Sequence, residues 1–144
     1  MYMMTPEYIV GLVDGEGSFT VYIRNPIKDN NIKRRAKAEP RFYIKLIEKD
    51  KKILCDLKDY FGCGNVYLQK DKRANHQDCY RFEVAGRNDL NKVIIPFFLK
   101  HKLKFPSKQN DFNLFCRLMD KINSGDHLTE NGLRTMRILK QKMH

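Results

Sequence analysis

Four segments of this chain alternate apolar and polar residues with a period of two, and this pattern constrains the fold most strongly. Side chains at every second position of a strand point to the same face of its sheet. The predicted strands begin near Ser18, Arg41, Val66 and Cys79, and each has one apolar and one polar face. Such strands are typical of an antiparallel sheet with helices on one face and solvent on the other.

Helical patterns lie between and after these strands. Thr5 as N-cap and Pro6 as first residue begin a helix that we expect to end near Asp14. The segment 25–40 is predicted to be a loop. The other predicted helices span residues 50–61, 88–100 with a kink at Pro96, 109–122, and a last one capped by Thr129. The predicted order is α-β-β-α-β-β-α-α-α, an α+β fold with a four-stranded antiparallel sheet in one domain, 1–144.

The net charge points to a polyanionic partner. The chain has 28 Lys and Arg against 17 Asp and Glu, a formal net charge of +11, with 42% hydrophobic residues. That hydrophobic content indicates a folded core rather than a basic tail, so DNA, RNA or an anionic membrane is the expected partner class. No apolar run is long enough for a membrane span and no secretion signal is evident, so we expect that the protein works where it is made or that its presequence has been removed.

The cysteines do not indicate a metal site. Cys55, Cys63, Cys79 and Cys116 form no C-x-x-C pair, and the histidines do not cluster with them. We therefore expect reduced thiols and no zinc.

The polar face of the predicted sheet is basic and rich in tyrosine. Glu83 is the one acid that the predicted strands place on it. Aromatic and basic side chains in alternation are typical of a nucleic-acid surface, although an ordinary solvated face is the alternative. The residues assigned to this face are Tyr22, Arg24, Arg41, Tyr43, Lys45, Tyr67, Gln69 and Arg81.

Two glycines interrupt the first predicted helix. Gly11 and Gly15 are four residues apart, so they share one helix face. Each costs about 1 kcal/mol relative to alanine in a helix interior. Close approach of a second backbone is the compensation that we expect.

The segment around these glycines resembles the LAGLIDADG motif of homing endonucleases. The matching residues are Ile9-Val10-Gly11-Leu12-Val13-Asp14-Gly15-Glu16-Gly17, followed directly by the alternating strand. Later blocks also look like the family, among them Phe61-Gly62-Cys63-Gly64-Asn65-Val66 and Lys108-Gln109-Asn110-Asp111-Phe112. The resemblance covers nearly the whole chain, and it implies the LAGLIDADG fold, αββαββα, with a saddle-shaped DNA-binding sheet.

One copy of the motif is present, which in this family implies a homodimer. The resemblance places the motif helix at the dimer interface, with Ile9, Gly11, Leu12 and Gly15 facing the partner copy. Glu16 would then emerge beside its symmetry mate, and two close carboxylates require a cation.

The resemblance also implies the catalytic groups. Glu16 matches the family's metal-binding acid for Mg²⁺ or Mn²⁺, with Gly15 as a second ligand position and the carbonyl of Gly17 as a further one. Asp14 is expected to cap or pack locally.

The family places a lysine near the scissile phosphate. Lys108 is the better match for it, and Lys104 is the alternative. A glutamine that orients water in many members aligns with Leu46 here, which leaves that role without a candidate.

The predicted DNA contacts divide into two groups. Base contacts are expected from Tyr22, Arg24, Arg41, Tyr43, Lys45, Tyr67 and Gln69. Phosphate contacts are expected from Lys33, Arg34, Arg35, Lys37, Lys70, Lys72 and Arg73.

These features together predict a site-specific, metal-dependent double-strand DNA endonuclease, a homodimer acting on a long pseudo-palindromic target. The resemblance implies an intron-encoded protein made inside a mitochondrion or chloroplast. One alternative is an RNA maturase on the same fold, with intron RNA as its partner. The others are a non-catalytic DNA-binding regulator and a plain RNA-binding domain.

Overall fold

The structure is a computed structural model that describes residues 4–24, 37–70 and 77–144, together with the backbone of 27–29 and 32–34. The helices are α1 (Pro6–Glu16), α2 (Lys51–Phe61), α3 (Arg87–Asp89), α4 (Ile95–Lys100), α5 (Pro106–Asn123) and α6 (Glu130–Lys140). The strands are β1 (Gly17–Arg24), β2 (Ile27–Asp29), β3 (Ile32–Arg34), β4 (Lys37–Ile47), β5 (Asn65–Gln69) and β6 (Cys79–Val84). Among the described residues, none of the helices has the length and apolar character needed to cross a membrane.

The main sheet has four strands in the order β1-β4-β6-β5, and every neighbouring pair is antiparallel. Phe19 lies opposite Phe42, and Phe42 lies opposite Val84 on the next strand. Directly opposed residues share a face, so the register collects the apolar side chains on one side of the sheet. The predicted α+β class and four-stranded antiparallel sheet are confirmed.

Helices α2, α4 and α5 cover the apolar face. Phe19 on β1 lies 5.5 Å from Phe98 of α4, 5.2 Å from Phe112 and 5.4 Å from Phe115 of α5, measured between ring centroids. All four rings are fully or almost fully buried. Such aromatic pairs contribute about 0.5–1.5 kcal/mol each beyond their burial, so this cluster fixes α4 and α5 against β1.

Helix α1 begins as predicted but ends two residues later. The Thr5 hydroxyl accepts a hydrogen bond from the Tyr8 amide at 3.2 Å, with Pro6 in the first turn. The helix continues through Glu16, and the strand starts at once with Gly17. A Cβ on Gly17 would lie 2.6 Å from Cγ1 of Val13, so glycine permits this direct change from helix to strand.

The predicted loop over 25–40 is wrong in part. β2 and β3 form a short two-stranded ribbon there, and β4 begins at Lys37 rather than near Arg41. The residues Lys37, Ala38 and Glu39 have little intrinsic strand preference. They become a strand because they pair with the end of β1, which a local pattern does not reveal.

The predicted helix over 88–100 is confirmed with a distortion. Helical structure runs from α3 to α4, but Leu90–Ile94 forms a wider π-helical turn in which the Ile95 amide donates to the Leu90 carbonyl. Pro96 follows directly and has no amide hydrogen, so the regular ladder could not continue through it.

Helix α5 starts at Pro106, three residues before the predicted Gln109. The sequence gives no sign of this start, because Phe105 at the N-cap position supplies no side-chain hydrogen bond. The end of α2 at Gly62, with φ +69°, and the cap of α6 by Thr129 are confirmed.

Candidate active site and nucleic-acid interface

The solvent face of the main sheet carries the residues predicted to contact bases. Across the strands, Arg24 lies opposite Lys37, Thr20 opposite Arg41, and Arg81 opposite both Lys45 and Tyr67. The register therefore puts on one face Tyr22, Arg24, Lys37, Arg41, Tyr43, Lys45, Tyr67 and Gln69. We call these residues, with Arg81 and Glu83, the sheet face.

Arg81 lies at the centre of the sheet face. Its guanidinium carbon is 3.6 Å from the centroid of the Tyr43 ring, and its Nη2 donates to Glu83 at 2.7 Å. Arg41 approaches the same Glu83 oxygen at 3.8 Å and Glu39 at 3.6 Å. Sequence reasoning placed Arg81 on this face but left it out of the predicted base contacts. Its central position follows from the register alone.

Electrostatics keep the arginine charged and the tyrosine neutral at this centre. Burial by itself lowers the pKa of Arg81, but its hydrogen bond with Tyr22 and the charge of Glu83 outweigh that effect and raise it. Burial raises the pKa of Tyr67, although the nearby Arg81 charge acts in the opposite sense. Tyr67 therefore presents a hydroxyl group and Arg81 a guanidinium cation.

Several predicted phosphate contacts cannot be placed. Arg35, Lys72 and Arg73 lie outside the described residues, and for Lys33 and Arg34 only the backbone is described. Their roles stay predictions. Lys70 is described and is exposed at the end of β5, where a phosphate contact is sterically possible.

The two predicted catalytic residues meet at the junction of α1 and β1. Glu16 is the last residue of α1 and is exposed. Lys108, in the first turn of α5, donates from Nζ to the carbonyl oxygen of Gly17, the residue after Glu16. A cation is favourable at the carbonyl end of a helix. Folding thus brings the Lys108 ammonium group to the residue that follows Glu16, although the two lie more than ninety positions apart in the chain.

Asp14 holds this junction together. Its carboxylate, 4% exposed, accepts hydrogen bonds from the Lys104 amide at 3.1 and 3.0 Å and from the Phe105 amide at 3.1 Å. These amides immediately precede α5. The expected structural role of Asp14 is confirmed, but its partners are distant in sequence rather than local. Lys104 reaches the junction through its backbone and exposes its side chain, so Lys108 is the better placed of the two lysines.

The oxygen donors at the junction suit a hard divalent cation, but they are incomplete. Glu16 offers one exposed carboxylate, and carboxylate and carbonyl oxygens are the ligands of Mg²⁺ or Mn²⁺. Within the part of the chain that is described, no three His, Cys, Asp or Glu side chains are grouped to hold a metal. Lys108 already occupies the Gly17 carbonyl. The described residues of one chain therefore do not complete the coordination of such an ion.

The outward side of α1 carries two glycines and no charge among four residues that share a face. Tyr8, Gly11, Leu12 and Gly15 are spaced i, i+3, i+4 and i+7, and all are at least partly exposed. A methyl group at Gly11 or Gly15 would meet no atom of the described residues within 4 Å. The packing of this chain therefore requires neither glycine. We call these four residues the α1 face.

Ile9 was predicted to lie at the dimer interface, and that prediction is wrong. Its side chain is 0% exposed and belongs to the core of this chain, so it has no surface to offer a partner. Tyr8, 39% exposed, takes its place on the α1 face. The spacing of Tyr8 from Gly11 and Gly15 was the signal that sequence reasoning missed.

Leu46, which aligns with the family's water-orienting glutamine, lies on the core side of the sheet. Leu46 lies opposite Tyr80 and packs against the core, so it points towards the helices and not towards the sheet face. The position that aligns with the family's water-orienting glutamine is therefore a leucine turned towards the core, and that role still has no candidate.

Comparison with known proteins gives consistent matches. A family model described as LAGLIDADG endonuclease matches residues 9–119. A probable intron-encoded endonuclease 2 from Neurospora crassa is 33% identical over 132 residues, covering 91% of this chain and 27% of the relative. A probable intron-encoded DNA endonuclease 1 from Mycosarcoma maydis is 30% identical, covering 75% of this chain and 34% of the relative. The chain thus spans about a third or less of these curated relatives.

Solved structures agree over the full length. The homing endonuclease I-TnaI has a TM-score of 0.81 and 34% identity, covering 99% of this chain and 90% of its own. I-SmaMI bound to cleaved DNA has a TM-score of 0.82 and 29% identity, covering 99% of this chain but only 44% of its own.

Proposed function

The chain belongs to the LAGLIDADG endonuclease family, and we therefore propose that it cuts double-stranded DNA at a specific, long, pseudo-palindromic site. The observation that carries this proposal is the junction of α1 and β1, where Lys108 contacts the residue after the exposed Glu16, at the end of a basic, tyrosine-rich sheet. A ligand lying along the sheet face would bring its phosphodiester backbone to that margin. The proposed catalytic residues and the proposed DNA-binding surface are then adjacent.

Glu16 would hold the divalent cation that LAGLIDADG endonucleases use in general. When bound, such an ion polarises the phosphoryl oxygens and activates water. Lys108, anchored on the Gly17 carbonyl, would place a positive charge beside the scissile phosphate and stabilise the negative charge that develops there. Asp14 keeps α5, and with it Lys108, at the end of α1.

The active unit is proposed to be a homodimer joined through the α1 face. One chain offers a single exposed carboxylate at the junction, that of Glu16, and a second copy would supply the other. The coverage of the solved structures supports this, because the chain spans 90% of I-TnaI but 44% of I-SmaMI, whose chain is about twice as long as the match. Two units of this size are therefore compatible with one active assembly.

The sheet face is proposed to bind the duplex, with base contacts from its arginines and tyrosines. I-SmaMI and I-CpaMI are described as bound to DNA, at TM-scores of 0.82 and 0.83 to this chain. Arg41 and Arg81 carry guanidinium groups, which can pair with guanine through two hydrogen bonds. Lys37 and Lys70 are exposed at the margins and are better suited to phosphates.

The gene is proposed to lie within an intron of an organelle genome. Three similar proteins carry names that state an intron origin, including one in ND4 intron 1 of Podospora anserina, 30% identical over 129 residues. An intron-borne gene is the setting in which a site-specific endonuclease promotes transfer of its own intron.

The test is a cleavage assay on a plasmid library with randomised pseudo-palindromic inserts, run with Mg²⁺ or Mn²⁺ and with EDTA, followed by sequencing of the ends. The wild-type protein is expected to cut at one symmetric site in the presence of metal. Glu16→Gln should lower the cleavage rate by about a thousandfold, because several kcal/mol of metal-ion stabilisation is lost. Its binding to the cleaved site should persist, because the sheet face is unchanged.

Glu48→Gln is the matched control, since it removes the same charge from an exposed position outside the junction. It should cut at the wild-type rate. Full cleavage by Glu16→Gln would refute the assignment of the acid. Binding of duplex DNA without any cut would favour a regulator, and selective binding of a structured intron RNA would favour a maturase.

A further inference from the structure

Two carboxylates lie among the cations on the solvent side of the main sheet. Glu83 is on β6, opposite Tyr43 of β4. Glu39 lies in the first part of β4, opposite Tyr22 and two residues from Arg41, so it points to the same side of the sheet. Carboxylates repel the phosphate backbone of DNA. Acids on a surface proposed to bind DNA must therefore serve another purpose.

Glu83 makes three contacts with side chains of the sheet face. Its Oε1 accepts a hydrogen bond from Nη2 of Arg81 at 2.7 Å and lies 3.8 Å from Nε of Arg41. It also accepts a hydrogen bond from the hydroxyl group of Tyr67. The side chains of Arg81 and Glu83 are only 11% and 19% exposed. Salt screens a pair that is this buried much less than a pair in solvent, so it persists in physiological salt.

Arg41 is held from two further sides. Its Nη2 lies 3.6 Å from Glu39, and its Nη1 donates to the carbonyl oxygen of Pro40 at 2.8 Å. Arg41 would therefore keep its orientation without Glu83. Arg81, whose hydrogen bond with Glu83 is the shorter contact, depends on that carboxylate more strongly.

An arginine that is held by a carboxylate is better suited to a base edge than to a phosphate. A phosphate would have to displace the carboxylate or lie beside its negative charge, and either reduces affinity. A guanine edge needs two donors in a fixed direction, and a guanidinium has five N–H donors, so some remain when a carboxylate holds one. Fixing their direction in advance lowers the entropy cost of the base contact. Discrimination is a difference of two affinities, so weaker non-target binding increases it.

We propose that Glu83 is a specificity-determining residue of the sheet face. It holds Arg81 away from the phosphates of non-target DNA and directs the remaining donors of Arg81 to a base edge of the target. This inference rests on the proposed function, because it states how the DNA-binding surface selects its substrate. The acid reduces affinity for DNA in general and thereby favours one sequence.

The first test is a binding titration with a labelled mixed-sequence duplex of about 30 base pairs, in salt from about 50 to 200 mM. Glu83→Gln should bind this non-target duplex more tightly than the wild type does. Its slope of log K against log salt should be steeper by about 0.9, the value for the one phosphate contact that Arg81 makes once it is released. Thermal unfolding of each variant shows whether it is folded.

Asp59→Asn is the matched control, since it removes the same charge from an exposed position of α2, behind the sheet. It should keep the wild-type slope. Arg81→Gln and the double variant Arg81→Gln/Glu83→Gln should have equal slopes, because the cation to be released is absent from both. Should Glu83→Gln unfold, Glu83→Asp keeps the charge but withdraws the carboxylate from Arg81 by one methylene group, and it should show part of the gain in slope.

The second test measures discrimination directly, with the target that the cleavage assay identifies. The ratio of target affinity to mixed-sequence affinity should fall about tenfold in Glu83→Gln, which is within the range for one lost paired contact to a base. The ratio should stay at the wild-type value in Asp59→Asn.

A wild-type slope in Glu83→Gln, or in Glu83→Asp where that variant replaces it, would overturn the Glu83 proposal and leave the proposed function standing. A gain in slope that Asp59→Asn shares, or that persists without Arg81, would also overturn it, since net charge or repulsion alone would then explain the gain. An unchanged ratio of affinities would do the same. A wild-type protein with no affinity for duplex DNA would refute the proposed function, and the Glu83 proposal with it.

Discussion

The α1 face and the sheet face are both open to solvent in this chain, yet their chemistry is opposite. The α1 face has two glycines, a leucine and a tyrosine, with no charge. The sheet face has arginines, lysines and tyrosines held by Glu83. Gly11 and Gly15 permit a second backbone to approach closely, whereas a surface of oriented cations attracts a polyanion. Glu16 lies where the two surfaces meet.

The same contrast predicts which kind of substitution damages each surface. The α1 face depends on the absence of atoms, so adding a side chain should damage it. The sheet face depends on ion pairs and stacking at Arg81, so removing a side chain should damage it. The predictions on the two surfaces and their junction run from the largest expected effect to the smallest, and a last one concerns the helix layer behind both.

Breaking the junction between the two surfaces should have the largest effect on stability. Asp14→Ala removes a buried carboxylate and leaves the Lys104 and Phe105 amides without their acceptor. We expect the free energy of unfolding to fall by about 3 kcal/mol. Urea denaturation measures it, and a loss below about 1 kcal/mol would contradict the assigned role of Asp14.

Adding bulk to the α1 face should weaken self-association. Gly11→Leu is expected to raise the dimer dissociation constant by about 30-fold, the equivalent of about 2 kcal/mol of overpacking. Sedimentation equilibrium measures this constant. Lys58→Leu, at an exposed position of α2, is the control and should leave it unchanged. An unaltered constant in Gly11→Leu would show that the α1 face is not the interface.

Removing the central cation of the sheet face should weaken DNA binding without changing association of the chains. Arg81→Gln loses its stacking on Tyr43 and its charge, and we expect about tenfold weaker duplex binding. Lys58→Gln again provides the charge-matched control. Fluorescence anisotropy at fixed salt measures the affinity of each variant for the duplex. Equal affinities of Arg81→Gln and Lys58→Gln would mean that the duplex does not bind on the sheet face.

A methyl group on the α1 face should have opposite effects on folding and on association. Gly11→Ala meets no atom of the described residues within 4 Å, so helix propensity alone acts on the isolated chain. We expect the monomer to gain about 1 kcal/mol of stability while the dimer weakens. Chemical denaturation at several protein concentrations separates the two effects. A stability loss in the monomer would mean that this chain itself uses the glycine.

The Cys116 thiol, in the helix layer behind both surfaces, should react slowly with alkylating reagents. Burial raises the pKa of the Cys116 thiol to about 11, from the usual 9.0. Because the folded-state pKa is the higher one, Cys116 contributes stability below about pH 9 that is lost as the pH rises towards 11. Alkylation of Cys116 at pH 8 should be about a hundredfold slower than in the unfolded chain. Equal rates would show that this layer opens readily.

Much of the fold was predictable because its signals are local. The period-two segments identified the strands and their faces, and Thr5, Gly62 and Thr129 marked helix ends through their own chemistry. The start of α5 at Pro106 and the first part of β4 had no comparable local signal. One lacks a side-chain cap and the other depends on pairing with β1.

The candidate site was predicted in its members but not in its arrangement. Glu16 and Lys108 came from the resemblance of their separate blocks. The burial of Ile9, the inward direction of Leu46 and the pairing of Arg81 with Glu83 each depend on which segments lie side by side. A single sequence does not state the register between strands.

The sequence by itself determined the alternating strands, the glycine-bearing helix that ends in Glu16, and the net positive charge, because each is a property of neighbouring residues or of composition. Only the tertiary structure decided that Lys108 meets the end of α1, that Asp14 ties this end to α5, and that α6 reaches the edge of the sheet face. Those contacts join residues far apart in the chain, and their geometry is set by how the helices pack on the sheet.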